Sequence, residues 1–281
     1  MLIWWYSFLD YFLPFDFLKY DFIKNALLAV ILVTPVFGLL GTMIVNNKMA
    51  FFSDALGHSA LTGIGIGVVI GVAQPVWIMV LFSIFFAIGI VIFRYKSKAA
   101  MDTTIGVFSS TAVALGIVLL SSNGGFNKYS AFLIGDLLSI TEQEIYMLIV
   151  LLALVLLVWG LIFNKLVVSS TSSIIASSRK INSTMMECIF TVVIAIAVAL
   201  SIKWVGLLII NSLLVLPAAA ARSIAKNIRQ YSWLSVLISL ICGLLGLFTA
   251  FFINTSVGAT IVLYCAFVYF SLLIVNNIKN G

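Results

Sequence analysis

Stretches of about twenty apolar residues, the length a helix needs to cross a hydrocarbon core of about 30 Å, follow one another along this chain with short polar breaks between them. They cover residues 22–45, 52–72, 75–93, 103–120, 145–163, 184–202, 205–221, 233–252 and 257–275. The seventh is short, and the apolar stretch 129–140 is broken by Gly135 and Asp136, so eight to nine crossings are expected. The pattern predicts an all-α polytopic membrane protein in which residues 22–281 form one transmembrane domain. Residues 1–21 read differently. Asp10, Asp16 and Asp21 are set among Trp4, Trp5, Tyr6, Tyr11 and several phenylalanines. That mixture lacks the basic start of a signal peptide and suits an amphipathic helix at the extracytoplasmic surface, with a partly inserted hairpin around Pro14 as the alternative.

Composition supports the membrane assignment. The 281 residues are 63% hydrophobic and 9% charged, far from the roughly 25% charge of soluble domains. The net charge of +6 raises nucleic-acid binding as a possibility, but the basic residues sit in short clusters between apolar spans, which is the pattern of membrane topology. If the turn holding Lys48 is cytoplasmic, alternation places Arg94/Lys96/Lys98, Lys165/Arg179/Lys180, Arg222/Lys226/Arg229 and Lys279 on the same side. With Lys48 these are eleven of the fifteen basic residues. The expected topology has the N-terminus outside and the C-terminus in the cytoplasm. Cys188, Cys242 and Cys265 lie far apart inside apolar spans and read as buried apolar residues, without the spacing of a zinc site. The serine-rich stretch 167–178 reads as a cytoplasmic connector with room for a short surface helix.

Few residues could carry chemistry. The single histidine, His58, follows Asp54 by four positions, so on a helix the two share a face one turn apart. Ionisable groups inside a membrane helix cost about 3 kcal/mol at its centre and face a pathway or a partner. Carboxylate and imidazole suit Mn²⁺, Zn²⁺ or Fe²⁺, and two copies meeting across a twofold axis would supply four ligands. Alternatively, Asp54 caps the helix start with His58 as its neutral neighbour. Gly63, Gly67 and Gly71 recur at spacing four and predict a face that another helix approaches closely. Asn211 and Ser212 either line a pathway or bond neighbouring helices. Pro217 is expected to break or bend its helix, with the alanines after it allowing a second short helix held at the cytoplasmic surface by Arg222, Lys226 and Arg229. Asp136 reads either as an outward carboxylate or as a helix cap. No GxxxxGK[ST], HExxH or GxSxG occurs, so the chain has no P-loop and no catalytic site of its own is expected.

Four segments, in order, carry a family resemblance. Residues 49–61, MAFFSDALGHSAL, resemble the "MAFFGDALAHAALPG" signature of zinc/manganese/iron ABC-transporter permeases. Gly135-Asp136-Leu137-Leu138 resembles that family's "FGDIL", residues 205–222 its "VGxLLVxALLVIPAATAR", and residues 255–263 its "PSGPTIVL". The chain departs from the pattern at Asn46-Asn47-Lys48, where members carry Arg-Arg, and at Ser256-Val257-Gly258-Ala259-Thr260, which lacks both prolines.

The resemblance implies the fold of a type II importer, like those for vitamin B12 and siderophores. It also implies a permease homodimer, two cytoplasmic ATPase subunits and an extracytoplasmic metal-binding protein. Asp54 and His58 would then be the metal ligands, and 218–229, within a coupling region of about 217–232, the element that docks in the ATPase. No permanent cofactor is implied, only transiently bound Mn²⁺, Zn²⁺ or Fe²⁺. A permease for haem, a siderophore or another metal chelate is the alternative.

Overall fold

The computed structural model describes residues 5–7, 11, 20–72, 75–97, 100–122 and 135–280. It is all-helical: α1 (Asp21–Asn46), α2 (Phe52–Ile70), α3 (Val76–Lys96), α4 (Met101–Ser122), α5 (Glu142–Thr171), α6 (Ser173–Ser178), α7 (Ser183–Val205), α8 (Leu207–Ile224), α9 (Ile228–Ile253) and α10 (Val257–Asn280). A 3₁₀ turn, Leu137–Ser139, precedes α5. Among the described residues, eight helices are long and apolar enough to cross a membrane, and α8 is a shorter apolar helix. Most of residues 1–21 and all of 123–134 lie outside the described residues, and with them most of the surface segment expected at the N-terminus. Trp5 and Tyr6 are described. The Trp5 indole donates to the carbonyl of Lys24 at 3.1 Å and the Tyr6 hydroxyl to Asn25 Oδ1 at 2.7 Å, pinning this stretch to the start of α1.

Two helix groups share one apolar core. In the first, α1 is clasped by α5, α8 and α9, with α10 against α8 and α9; in the second, α2 packs on α3, α4 and α7. Contacts of α2 with α8 and of α5 with α7 join them. Because lipid tails are as apolar as leucine side chains, the hydrophobic effect does not hold helices together here. Small residues and side-chain-to-backbone hydrogen bonds do so instead, the bonds being worth about 0.6 kcal/mol each. Ser235 Oγ donates to the carbonyl of Gly38 at 2.6 Å and Ser239 Oγ to that of Thr34 at 2.7 Å, tying α9 to α1. Thr62 Oγ1 donates to the carbonyl of Ala112, tying α2 to α4.

The close approaches need glycine. A methyl group added at Gly41 would overlap the backbone carbonyl of Leu214, where α1 crosses α8. Backbone cannot swing aside as a side-chain tip does. Gly41→Ala is therefore expected to cost at least about 2 kcal/mol, read as a lower melting temperature of the detergent-solubilised protein.

The basic clusters gather at one end of the bundle. Asn46, Asn47 and Lys48 share a polar cleft with Arg94 and Tyr95 from the end of α3, Ser169 and Ser170 from α5, and Ser183 and Glu187 from α7. Arg94 pairs there with Glu187. Asn46 also borders a second cleft with Arg222, Lys226 and Tyr231. Lys203, at the far end of α7, pairs with Glu144 instead.

Three expectations need correction. Pro217 does not break its helix: α8 runs through it to Ile224, and no separate helix forms over 218–229. Among the described residues nothing packs against Gly71. It ends α2 in a left-handed conformation (φ +81°), the cap glycine favours because it has no Cβ. The span 145–163 is too short, since α5 is one helix of 30 residues.

Candidate functional site

Asp54 and His58 lie in the first two turns of α2. Phe51 occupies the cap position and makes no side-chain capping bond, so Asp54 is the third helical residue and not the N-cap. A carboxylate there still gains from the positive end of the helix dipole. From Phe52 to Gly65 every residue of α2 is buried except Asp54, His58 and Leu61. Those three are spaced i, i+4, i+7 and form one stripe. Gly57 faces Leu207 of α8, Gly63 faces the backbone of Met79 on α3, and Gly65 faces Leu119 of α4. These neighbours cover the rest of that stretch, while Val69 and Ile70 at the far end of α2 are exposed. Between Phe52 and Gly65 the stripe is what the chain leaves open.

The two side chains point their functional atoms at each other. His58 Nε2 stands 3.5 Å from Asp54 Oδ2, long for a hydrogen bond. Donors about 2.1 Å from a tetrahedral ion stand about 3.4 Å apart, so the gap matches one edge of such a coordination shell. His58 Nδ1 is buried and has no hydrogen-bond partner among the described residues, which leaves Nε2 as the nitrogen available to a ligand. Among the described residues no group of three or more His, Cys, Asp or Glu side chains forms. The chain brings two donor side chains together at this point.

The surroundings hold the pair in place. Ser53, immediately before Asp54, donates to Asn211 Oδ1 on α8, so Asn211 fastens α8 to the base of the stripe. Ser212 is half-buried beside it. Of the two readings of Asn211, this bond between neighbouring helices is the one observed, although the sequence carried no sign that Ser53 is its partner. Gly63 and Gly67 bring α2 against α3, with Met79 Cα and Pro75 Cβ each 2.6 Å from where a methyl would sit. Asp136 caps the 3₁₀ turn, its Oδ1 accepting from the Leu138 amide at 3.1 Å. Gly135 (φ +72°) abuts the Val205–Gly206 backbone between α7 and α8.

At the basic end, α8 and α9 are joined by residues 225–227. Asn227 Oδ1 accepts from the Gln230 amide at 2.8 Å, and Gln230 Oε1 accepts from the Lys226 amide at 3.0 Å. Each link satisfies a backbone donor at the start of α9. Arg222, Lys226 and Arg229 are exposed around this stiff corner. Among the described residues none of the three pairs with a carboxylate.

Comparison with known proteins decides the family. The model of the ABC 3 transport family matches residues 19–276. This chain belongs to that family. It is 30% identical over 251 residues, 89% of this chain and 96% of the relative, to the high-affinity zinc uptake system membrane protein ZnuB of Haemophilus influenzae. It is 28% identical to the manganese import system permease protein ScaB of Streptococcus parasanguinis, over 88% of each chain. Among solved structures, PsaBC from Streptococcus pneumoniae in complex with Fab superposes with a TM-score of 0.79 at 25% identity, covering 97% of this chain and 95% of that one. The fold is therefore that of an ABC-importer permease, and the chain is a multi-pass membrane protein.

Proposed function

We propose that this chain is the membrane permease of an ATP-driven importer for divalent transition-metal ions in a bacterial inner membrane. The observation that carries the reading is the stripe of α2. A carboxylate and an imidazole stand 3.5 Å apart on the open stripe of the Phe52–Gly65 part of a helix packed against α3, α4, α7 and α8, in a family whose relatives are named for zinc and manganese. Two protomers facing each other across a twofold axis would supply two Asp54 and two His58, enough for a tetrahedral ion. Zinc and manganese are the ions named for the relatives; iron rests on donor chemistry alone.

The permease has no nucleotide-binding motif, so ATP hydrolysis belongs to a separate cytoplasmic subunit. That subunit docks at the α8–α9 corner on the exposed Arg222 and Lys226, and a metal-binding protein delivers the ion from outside. With the basic end in the cytoplasm the N-terminus lies outside and the C-terminus inside.

Reconstitution tests this. Proteoliposomes holding the permease with its ATPase and binding protein should take up Zn²⁺ or Mn²⁺ only when ATP is supplied. Equal uptake by the permease alone would identify a channel or secondary transporter instead.

A further inference from the structure

An apolar groove of about 460 Å³ opens between α1, α5 and α9, away from the α2 stripe. Its volume falls within the roughly 300–1,000 Å³ of pockets that hold small ligands. On α9 it is bordered by Arg229, Ser232, Trp233 and Val236, spaced i, i+3, i+4 and i+7. On α5 the lining positions are Leu152, Leu156, Trp159 and Phe163, again a single face. Pro35 and Leu39 of α1 form the floor.

The groove is polar at one end only. Arg229 stands one residue past the start of α9, at the basic end of the bundle, and Trp233 lies one turn further in. Leu152 to Phe163 spans eleven residues of helix, a rise of about 16 Å, and one leaflet's hydrocarbon is about 15 Å deep. A cation at the mouth, an indole at the level of the interface and a dry slot one leaflet long are the features that would recognise a charged lipid. Arg229 has no carboxylate partner among the described residues, and its planar fork suits a phosphate.

We propose that this groove seats one acyl chain of an anionic phospholipid from the cytoplasmic leaflet, with its phosphate on Arg229. A second copy of the chain is the other possible occupant. The helices packed on α2, whose stripe is assigned above to the twofold axis, are α3, α4, α7 and α8, and none of them borders the groove. That exclusion rests on the proposed dimer. The lipid assignment also separates Arg229 from Arg222 and Lys226, leaving those two for the ATPase.

The test is lipid retention. The full-length protein is purified from membranes containing phosphatidylglycerol and phosphatidylethanolamine, delipidated in neutral detergent, and its bound lipid measured by native mass spectrometry. Wild type should keep phosphatidylglycerol in preference to phosphatidylethanolamine. Arg229→Ala should lower that retention about fivefold. Leu156→Trp, which fills the slot while keeping the arginine, should lower it as well, and Lys226→Ala should not. Unchanged retention in both Arg229→Ala and Leu156→Trp would overturn the proposal, as would equal retention of the two lipids. So would disulfide cross-linking of two copies through a cysteine placed at position 156. Loss of metal uptake in an Asp54 variant that still retains lipid would bear on the ion site alone.

Discussion

Asp54→Ala and His58→Ala are each expected to abolish metal uptake while leaving the protein folded and able to assemble. In a twofold site each substitution removes two of four ligands. Loss of groups that merely orient a ligand costs about 10- to 100-fold in affinity or activity, so loss of the ligands themselves should exceed 100-fold. Folding should survive because the stripe is the unpacked face of α2. At Asp54 the loss is a favourable charge near a helix start, worth about 0.3–1 kcal/mol. At His58 a long contact disappears together with a buried Nδ1 that had no partner among the described residues. ATP-driven uptake of radioactive Zn²⁺ or Mn²⁺ by reconstituted complexes, normalised to assembled permease, makes the measurement. Uptake at the wild-type rate in both variants would remove the site from the mechanism and leave His58 as a structural residue.

Hydropathy alone delivered the helical architecture because, in a bilayer, each spanning segment must satisfy its own backbone, which makes length and apolarity nearly sufficient. Segment ends were harder. Residues 164–171, Asn-Lys-Leu-Val-Val-Ser-Ser-Thr, look like a polar exit, yet α5 continues through them. Their hydroxyls return to carbonyls one turn back, as Ser170 and Thr171 do to Val167. Pro217 misled for a related reason. Membrane helices carry proline where neighbours support the turn, and the buried Ala218 and Ala221 let α1 and Tyr231 close around it.

At the site, the pairing of Asp54 with His58 was legible from spacing, and a helix-bonding role was one of two readings of Asn211, but its partner Ser53 was not legible. A four-residue interval says that two side chains share a face. Whether that face is open depends on α3, α4, α7 and α8 arriving from far along the chain. The glycine series shows the same limit. Three glycines at spacing four look alike in sequence, but α2 ends at the third, which becomes a cap instead of a contact.

Reversing charge at the α8–α9 corner, with Arg222→Glu and Lys226→Glu together, is the second large effect expected. Both side chains are exposed and neither pairs with a carboxylate among the described residues, so the fold loses no ion pair. Thermal stability should stay close to wild type. The proposed ATPase would instead meet two like charges where it had two complementary ones. Juxtaposed like charges cost an interface several kcal/mol, and each 1.4 kcal/mol is about tenfold in affinity. Co-purification of the ATPase should therefore fall by at least about tenfold, and uptake with it. The corner is suited to pass on force because it is short and internally bonded. Asn227 and Gln230 hold the start of α9, and α8 runs unbroken from there to Asn211, which grips Ser53 beside Asp54. A push on residues 225–227 thus reaches the stripe along a single helix. The measurement that discriminates is paired: ATPase pull-down and ATP-driven uptake on the same preparations. If the doubly reversed permease bound its ATPase normally and transported at the wild-type rate, the docking surface would have to lie elsewhere, with α6 and its flanking Lys165, Arg179 and Lys180 the next place to look.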